Sequence, residues 1–337
     1  MDATIFAALL QDGLTTGAVY LLLAVGLLIA FSVTRVIFIP QGDLVSYAAL
    51  SLAALVGHRI PGTVWLLDVL CAVALALALR RGQFRAVLPY GVAPGLLTLA
   101  CWAAARYGAP PPVLMLLAVA VVTALGPLLY RFCYEPLGEA SMLALLIASM
   151  ALHFVLIGIA LYTFGAEGFS TPALTDANFE IGTLSVSGQS LCVFGVCLVL
   201  VGALRWFFFR TLPGKALRAA ASDRLGARLI GVDASLSGRA AFALASGAAA
   251  VSGILIAPIT PLSFDTGFEI GLKGFVAAVI GGLSSYPLAA AGALLVGLLE
   301  SFSGFWASEY RSVIVFALLI PVLVWLSLNS GGSEDRA

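Results

Sequence analysis

The side chain of this 337-residue chain whose chemistry is most suggestive of a function is His153, which lies near Ser149 inside a long apolar run. A polar side chain in such a run faces the interior of a helix bundle, where an imidazole can serve as a ligand. Packing without a ligand is the alternative, and it is the commoner role of a lone histidine. Asp68 is a second isolated polar residue, and we expect it to reach an interface or to pair locally.

A second candidate site is the segment 38–43, where a proline, a glycine and two polar residues interrupt an apolar stretch. Lipid cannot satisfy the backbone groups that such a break frees, so breaks of this kind are buried in protein or line a wet cavity. Broken helices also form binding sites in membrane proteins. A plain turn between two helices is the alternative, because Arg35 lies just before the segment.

The largest polar segment is 205–239, which holds seven of the 17 Lys and Arg residues. We expect residues 210–218 to leave the apolar run and 219–230 to form a short helix that ends at Gly231, since glycine suits the left-handed residue after a helix. An apolar side is predicted by the spacing of Leu217, Ala221, Leu225 and Leu229. An ordinary basic loop that fixes topology is the alternative, but a capped amphipathic helix favours a docking surface.

Several kinds of site are missing from the sequence. It contains no Gly-x-x-x-x-Gly-Lys-Ser/Thr loop, so the chain cannot hydrolyse ATP by that route. No apolar run holds the series of carboxylates typical of ion-driven carriers, and no Ser/His/Asp set suggests an active site. We therefore predict no catalytic residues and no metal site. Small buried apolar roles are expected for the five cysteines, Cys71, Cys101, Cys133, Cys192 and Cys197.

Composition identifies a membrane protein. Hydrophobic residues make up 61% of the chain and charged residues 10%, and the net charge of zero argues against nucleic acid as a partner. A bilayer core of about 30 Å needs roughly 20 apolar residues per helix. The runs of this kind are 13–34, 39–56, 63–79, 86–105, 107–130, 140–166, 181–204, 240–264, 274–299 and 312–333. The prediction is an all-α polytopic membrane protein with about ten or eleven transmembrane or membrane-embedded helices, some of them short or broken.

The helix count depends on the run 274–299. Its centre, 281–287, contains small residues and a proline that are poor helix interior. We favour a short helix near 271–283, a turn, and a full helix over about 288–303, which gives eleven segments; an unbroken run gives ten. Pairs such as Gly13/Gly17 and Gly292/Gly297 are spaced for close contact between helices.

Charges predict the orientation. Three basic clusters, at Arg80–Arg85, at Arg131 and at 205–239, are separated by pairs of spans and fall on one side, which is the cytoplasm. The connection 166–188 has no basic residue and lies outside; its acidic residues are Glu167, Asp176 and Glu180. This places the N-terminus outside and the C-terminus in the cytoplasm. Residues 1–337 then form one transmembrane domain, with 210–239 as a cytoplasmic loop and 329–337 as a disordered tail.

Several motifs together resemble permease subunits of the branched-chain amino acid ABC importers, which depend on a binding protein and lie in the bacterial inner membrane. Residues 271–283 read Gly-Leu-Lys-Gly-Phe-Val-Ala-Ala-Val-Ile-Gly-Gly-Leu and are the closest match. Residues 213–219 and 229–232 resemble that family's cytoplasmic coupling segment, and Glu300 and Arg311 also fit. The chain departs from the family at 38–42, where Asn-Phe-Ala-His-Gly is common, and at 80–105, which adds a helix pair.

The resemblance implies a division of labour among subunits. A periplasmic solute-binding protein would deliver a small polar solute, such as a branched-chain or other amino acid or an amide, and a second permease subunit would complete the pore. Two ABC ATPase subunits would bind ATP and Mg and grip a coupling helix in 210–239, so this chain would be non-catalytic and need no cofactor. An ion-gradient-driven secondary transporter is the main alternative, and a membrane enzyme or scaffold is a third.

The resemblance also assigns two sets of residues. The expected ATPase-coupling residues are Gly214, Lys215, Arg218, Asp223, Arg224, Arg228, Gly231 and Asp233. The expected translocation path is lined by Thr16, Tyr20, Gln41, Ser149 and His153.

Overall fold

A computed structural model describes residues 3–82, 87–138, 140–175, 177–181, 184–322 and 324. Arg85, Glu139, Asp176 and the predicted tail 329–337 lie outside the described residues. The helices are α1 (Ala3–Thr34), α2 (Gln41–Val56), α3 (Gly62–Arg80), α4 (Ala93–Tyr107), α5 (Pro111–Leu129), α6 (Met142–Phe164), α7 (Gly188–Arg210), α8 (Leu212–Ser222), α9 (Arg224–Leu229), α10 (Ala234–Ile256), α11 (Thr266–Ile280), α12 (Tyr286–Trp306) and α13 (Arg311–Ala317). A small antiparallel hairpin joins β1 (Asn178–Ile181) to β2 (Leu184–Ser187), with Phe179 opposite Val186.

Eight of the described helices are long and apolar enough to cross a membrane: α1, α3, α4 and α5 with their adjoining turns, α6, α7, α10 and α12. Two shorter ones, α2 with 16 residues and α11 with 15, are embedded among them. This architecture confirms the predicted all-α polytopic class with short segments. The hairpin is the one element of the described chain that this prediction did not include.

The long helix α1 lies at the centre of the bundle, where it packs against α12, α10 and α11. Its contact with α12 is a close backbone approach. A Cβ atom on Gly13 would lie 2.9 Å from the Leu298 Cα, and one on Gly17 would lie 2.9 Å from the Leu294 Cα. Small residues therefore allow these two helices to touch, as the glycine spacing predicts.

The break predicted within 281–287 is present. The helix α11 ends at Ile280, and Gly282 follows with a φ of +62°. Two hydrogen bonds close the helix end, from Gly282 N to Val279 O (2.8 Å) and from Leu283 N to Ala278 O (3.0 Å), which is the Schellman arrangement. The full helix α12 begins at Tyr286, two residues earlier than predicted, and α11 begins five residues earlier.

The predicted single helix over 219–230 is wrong, because the segment is divided at Asp223. This residue is extended (φ −145°, ψ 107°), and its Oδ1 accepts a hydrogen bond of 2.9 Å from Leu225 N at the start of α9. An aspartate side chain competes in this way with the helical backbone and begins a new helix. The preceding helix α8 starts at Leu212, seven residues before the predicted start of the helix at 219.

The predicted apolar side of that segment is wrong for the same reason. Leu217 is buried, whereas Leu225 and Leu229 are 69% and 81% exposed. The break at Asp223 rotates α9 away from the face that α8 buries.

Candidate functional site

The loop between α7 and α10, which we define as α8, α9 and the turn up to Asp233, is fixed to one end of the bundle by apolar contacts. Leu217, Ala220 and Ala227 pack with residues of α1, namely Val25, Ile29 and Val33. We call this end of the bundle the loop end. Because α8 and α9 rest on α1, the loop is a firmly positioned surface.

Most of the eight predicted coupling residues are exposed on this loop, and two are not. Lys215, Arg218, Asp223, Arg228, Gly231 and Asp233 are exposed, and Arg224 is half-buried. Gly214 is buried, and a Cβ atom there would collide with the carbonyl group of Phe207. Its role is therefore to let α8 start close to the end of α7.

Three of these residues also shape the loop. Gly231 has a φ of +89° and follows α9, with Val232 N donating to Ala227 O (2.9 Å), so the predicted helix stop is confirmed. Asp233 caps α10 by accepting from Ser235 N (2.8 Å). The guanidinium of Arg218 lies 4.4 Å from the centre of the Phe209 ring, which holds its charge at the membrane-facing edge of the loop.

A polar contact ties the first turns of α10, directly after the loop, to the end of α5. Ser235 Oγ donates to Glu135 Oε1 (2.6 Å), and Arg239 Nε lies 3.5 Å from Glu135 Oε2. Glu135 belongs to a short 3₁₀ turn that extends α5. A displacement of the loop would therefore be transmitted to α1 directly and to α5 through the start of α10.

The break between α1 and α2 lies inside the protein. Phe38 is fully buried, and its ring centre lies 4.5 Å from that of Phe242 on α10. Ile37 O accepts a hydrogen bond from Ser149 Oγ on α6 (2.8 Å), which satisfies one backbone group of the break. Of the two interpretations that the sequence left open, the structure supports a break buried in protein over an exposed turn.

A cavity of about 270 Å³, the break cavity, lies beside this segment. Its walls come from four helices and the break itself, and they are formed by Leu23, Leu27, Ile37, Phe38, Ile39, Gln41, Gly42, Leu146, Gly271, Leu272 and Phe275. Gln41 is the one polar side chain among them, and its Nε2 donates to Leu23 O (3.0 Å). The cavity is therefore largely apolar.

The predicted path residues Ser149 and His153 lie on the same side of α6, next to the break. Ser149 also bonds to the Tyr134 hydroxyl (2.9 Å). The imidazole Nδ1 of His153 lies 2.9 Å from both carboxylate oxygens of Asp43, and the Phe268 ring stacks on it with centres 4.0 Å apart. His153 is thus paired with a buried carboxylate, and it does not line the break cavity.

Tyr20 belongs to a separate polar cluster around Glu300, which is 1% exposed. The Tyr20 hydroxyl donates to Glu300 Oε2, and Lys273 Nζ and Arg311 Nη2 both contact Oε1, the lysine at 2.8 Å. Lys273 also lies 3.0 Å from Glu269 Oε1, one turn earlier on α11. Four helices, α1, α11, α12 and α13, meet at this carboxylate. Thr16, one turn from Tyr20 on α1, is half-buried.

Glycines let α11 cross α2 beside the break. A Cβ atom on Gly42 would lie 2.7 Å from Gly267 O and 3.0 Å from the Gly271 Cα. One on Gly274 would lie 2.7 Å from the Leu23 Cβ on α1. In the Gly-Leu-Lys-Gly stretch, the two glycines lie at helix crossings, and the lysine between them belongs to the Glu300 cluster.

Asp43 and Glu300 were not predicted to organise buried polar contacts. Asp43 was visible as one of the polar residues in the break, and Glu300 as a carboxylate in a glycine-rich apolar run. Neither signal identifies its partner, since Asp43 and His153 are 110 residues apart and Tyr20 and Glu300 are 280 apart. Asp68 pairs locally, accepting from Thr98 Oγ1 (2.8 Å).

The chain therefore combines an exposed cationic loop at one end of the bundle with buried polar contacts around a broken helix. The family profile described as branched-chain amino acid transport system / permease component matches residues 9–323. The chain belongs to this family. Membership confirms the predicted family, and it supports an ABC importer permease over a carrier driven by an ion gradient.

Curated relatives of the branched-chain amino acid permease family agree with this assignment. The chain is 26% identical over 330 residues to the high-affinity branched-chain amino acid transport system permease protein BraD of Pseudomonas aeruginosa, covering 94% of this chain and 92% of BraD. It is 30% identical over 217 residues to the corresponding protein LivH of Escherichia coli, covering 61% and 70% of the two chains. No solved structure matches the chain.

As a permease component, this multi-pass membrane protein works with other components of a transport system. Within the described residues, no group of three His, Cys, Asp or Glu side chains could hold a metal ion.

Proposed function

We propose that this permease moves a small polar solute, such as a branched-chain or other amino acid or an amide, into the bacterial cytoplasm. A periplasmic solute-binding protein delivers the solute, a second permease subunit completes the pore, and two ABC ATPase subunits bind ATP and Mg. The relatives' names support the solute class. The observation that carries the coupling to a motor is the exposed cationic loop seated on α1.

The proposal assigns the loop end to the cytoplasm, with the N-terminus outside and the C-terminus inside. The basic clusters support this, because Tyr90, which follows Arg80 and Arg81 along the chain, contacts both Arg131 (4.6 Å to the ring centre) and Arg239 (3.5 Å), which lies just after the loop. The chain itself then has no catalytic role and binds no cofactor.

In the proposed mechanism, ATP binding closes the ATPases and displaces α8 and α9. The contacts of α8 and α9 with α1, and of Ser235 with Glu135 on the α5 extension, carry that displacement into the bundle. The break between α1 and α2 then opens or closes the path near Gln41, Ser149 and His153. Energy from the motor shifts the bundle between outward and inward states because the ATPases contact the loop differently in each.

Reconstitution tests the proposal directly. Proteoliposomes that contain this chain, its sister permease and the two ATPases should transport labelled leucine only under two conditions. ATP must be present on the side of the membrane that the ATPases face, and the binding protein must be present on the opposite side. The chain alone, under a proton or sodium gradient, should show no uptake. Gradient-driven uptake by the chain alone would contradict the importer proposal.

The loop is tested by charge reversal. The double variant Arg218→Glu with Arg228→Glu should lose ATPase co-purification while it still inserts into the membrane. A matched control, Arg80→Glu with Arg81→Glu, reverses two exposed charges outside the loop and should retain the ATPase. Equal co-purification of the loop variant and the wild type would remove the loop from its proposed role, and periplasmic labelling of a cysteine placed in the loop would reverse the orientation.

A further inference from the structure

Four contacting side chains of alternating charge, which we call the charge chain, run from Glu269 through Lys273 and Glu300 to Arg311. Lys273 Nζ lies 3.0 Å from Glu269 Oε1 and 2.8 Å from Glu300 Oε1, which Arg311 Nη2 also contacts. The two middle side chains are only 5% and 1% exposed, whereas those of Glu269 and Arg311 are 48% and 50% exposed. The charge chain therefore ends in one accessible anion and one accessible cation.

Ser312 holds these two accessible ends together. It follows Arg311 in α13, and its Oγ donates to Glu269 Oε1 on α11 (2.6 Å). This contact closes the charge chain into a ring that joins α11, α12 and α13. A negative and a positive group are thus presented side by side.

Both ends have unused hydrogen-bonding capacity. Among the described residues, the Glu269 carboxylate accepts only at Oε1, and the Arg311 guanidinium donates only from Nη2. The second carboxylate oxygen can still accept, and the other N–H groups of the planar guanidinium can still donate. An ammonium group can therefore bind to Glu269, and a carboxylate to Arg311, without breaking the charge chain.

This accessible face lies at the depth of the break between α1 and α2. A Cβ atom on Gly42, in the break, would lie 2.7 Å from the carbonyl oxygen of Gly267, two residues before Glu269. Half-exposed charges at this depth are strongly unfavourable in hydrocarbon, so Glu269, with Arg311 beside it, faces water or protein. In an importer whose pore is completed by a second permease subunit, such a face lines the solute path.

The balance of charges favours a particular kind of solute. Two carboxylates offset the lysine and the guanidinium, so the charge chain has no net charge. A simple anion or cation is attracted by one accessible end and repelled by the other. A zwitterion with its two charges close together is attracted by both.

We propose that Glu269 and Arg311 bind the zwitterionic main-chain groups of an α-amino acid, with the ammonium on Glu269 and the carboxylate on the guanidinium fork of Arg311. The inference rests on the proposed function and narrows its solute class from small polar solutes to α-amino acids. Lys273 and Glu300 are positioning residues that hold the two ends in place.

Three probes with one hydrocarbon skeleton separate the two contacts. Leucine carries both charged groups, 4-methylpentanoate lacks the ammonium, and 3-methylbutylamine lacks the carboxylate. Each single-charge probe loses one charged hydrogen-bonded contact, which corresponds to about tenfold or more in affinity. We therefore expect leucine to bind at least about tenfold more tightly than either of the other two probes.

Binding is measured by protection of a cysteine placed beside Arg311. A Cβ atom on Gly304 would lie 3.5 Å from Arg311 Cδ, which is ordinary contact, so Gly304→Cys puts a thiol next to the site. The variant is made in a chain whose five native cysteines are changed to alanine, within the complete transporter in lipid nanodiscs and without binding protein. A water-soluble maleimide should label the thiol, and we compare the concentrations of the three probes that halve the labelling rate.

Two conservative changes should affect different probes. Arg311→Lys retains a positive charge for Glu300 but loses the fork, so it should raise the half-protecting concentrations of leucine and 4-methylpentanoate by about tenfold. It should leave that of 3-methylbutylamine unchanged. Glu269→Gln should raise the half-protecting concentrations of leucine and 3-methylbutylamine and leave that of 4-methylpentanoate unchanged. A purely structural role would shift all three probes together.

Matched controls make the same changes outside the charge chain. Arg59→Lys and Glu309→Gln alter an exposed arginine and an exposed glutamate, and should leave all three half-protecting concentrations unchanged. Thermal unfolding of each variant verifies that it is folded.

Three results would overturn the inference: no maleimide labelling, which would mean that the face is closed to water; equal protection by leucine and a single-charge probe; or a shift of all three probes in either variant. ATP-dependent leucine uptake by the complete transporter is measured separately. Normal uptake without selective protection would overturn the amino acid site and leave the proposed function standing. Selective protection without ATP-dependent uptake would support the site and contradict the importer.

Discussion

Lys273 and Glu300 form a salt bridge of 2.8 Å between α11 and α12, with side chains that are only 5% and 1% exposed. Tyr20 and Arg311 complete the ring of donors around the same carboxylate. Charges this deeply buried are tolerated only when every one has a partner. The Glu300 carboxylate therefore holds four helices together, and removing its charge should destabilise their packing.

Glu300→Gln should lower the free energy of unfolding by about 3 kcal/mol, because it leaves the buried Lys273 with only the exposed Glu269 as a charged partner and removes the carboxylate that Arg311 contacts. Denaturant titration in detergent micelles measures the change. Glu309→Gln, an exposed glutamate just beyond α12, is the matched control and should change stability little. Equal stability of the two variants would show that the Glu300 cluster does not hold the helices together.

Asp43 and His153 should behave as one unit. Each single change, Asp43→Asn or His153→Gln, disturbs a buried pair joined at 2.9 Å, so the double variant should be less destabilised than the sum of the two. We expect an interaction free energy of roughly 0.5–3 kcal/mol from a double-mutant cycle on thermal unfolding. A parallel cycle with Asp265→Asn, an exposed aspartate, should give additive effects with His153→Gln. Additivity in the first cycle would mean that the contact contributes no coupling.

Gly271→Ala should destabilise the crossing of α2 and α11, since the new Cβ would overlap the Gly42 Cα. Overpacking of this kind costs about 1–3 kcal/mol. Here the new Cβ meets the Cα and N atoms of Gly42, and a backbone can move aside only a little. The free energy of unfolding in detergent and the ATP-dependent uptake by the assembled transporter should both decrease. The control Gly195→Ala on α7 faces open space and should be neutral or slightly stabilising. A Gly271→Ala protein as stable as that control would contradict the close crossing.

Gly231→Val should loosen the end of α9 without any steric clash. Apart from its chain neighbours, no atom of the described residues lies within 4 Å of a Cβ built at Gly231. The effect therefore comes from its φ of +89°, which costs a β-branched residue roughly 1–3 kcal/mol. Amide hydrogen exchange in the last turn of α9 should accelerate. Gly231→Asn, which tolerates positive φ better, should retain more protection, and equal exchange in both variants would contradict this account.

Much of the fold could be predicted because membrane helices need long apolar runs and helix ends need particular residues. The break after α11 was visible as glycines followed by a proline, and the stop of α9 as Gly231. The division of the loop at Asp223 was missed because leucine and alanine spacing continues across it. A capping side chain overrode that spacing.

The site was only partly predictable. Gln41, Ser149 and His153 were identified as polar residues in apolar surroundings, and the structure brings them to the same break. Their partners were not identified, because a hydrogen bond across 110 or more residues depends on how helices cross. Local sequence carries no record of that crossing beyond the small residues that permit it.

The first helix extends without a proline from Ala3 to Thr34, a rod of about 48 Å at 1.5 Å per residue. Its first half is held against α12 through Gly13 and Gly17, and its second half packs against Leu217 of α8. A helix that is held along both halves and contains no proline has no hinge at which it could absorb a push. If ATPases push on α8 as proposed, the thrust would travel lengthwise along α1 and reach the contact with α12 at the same moment.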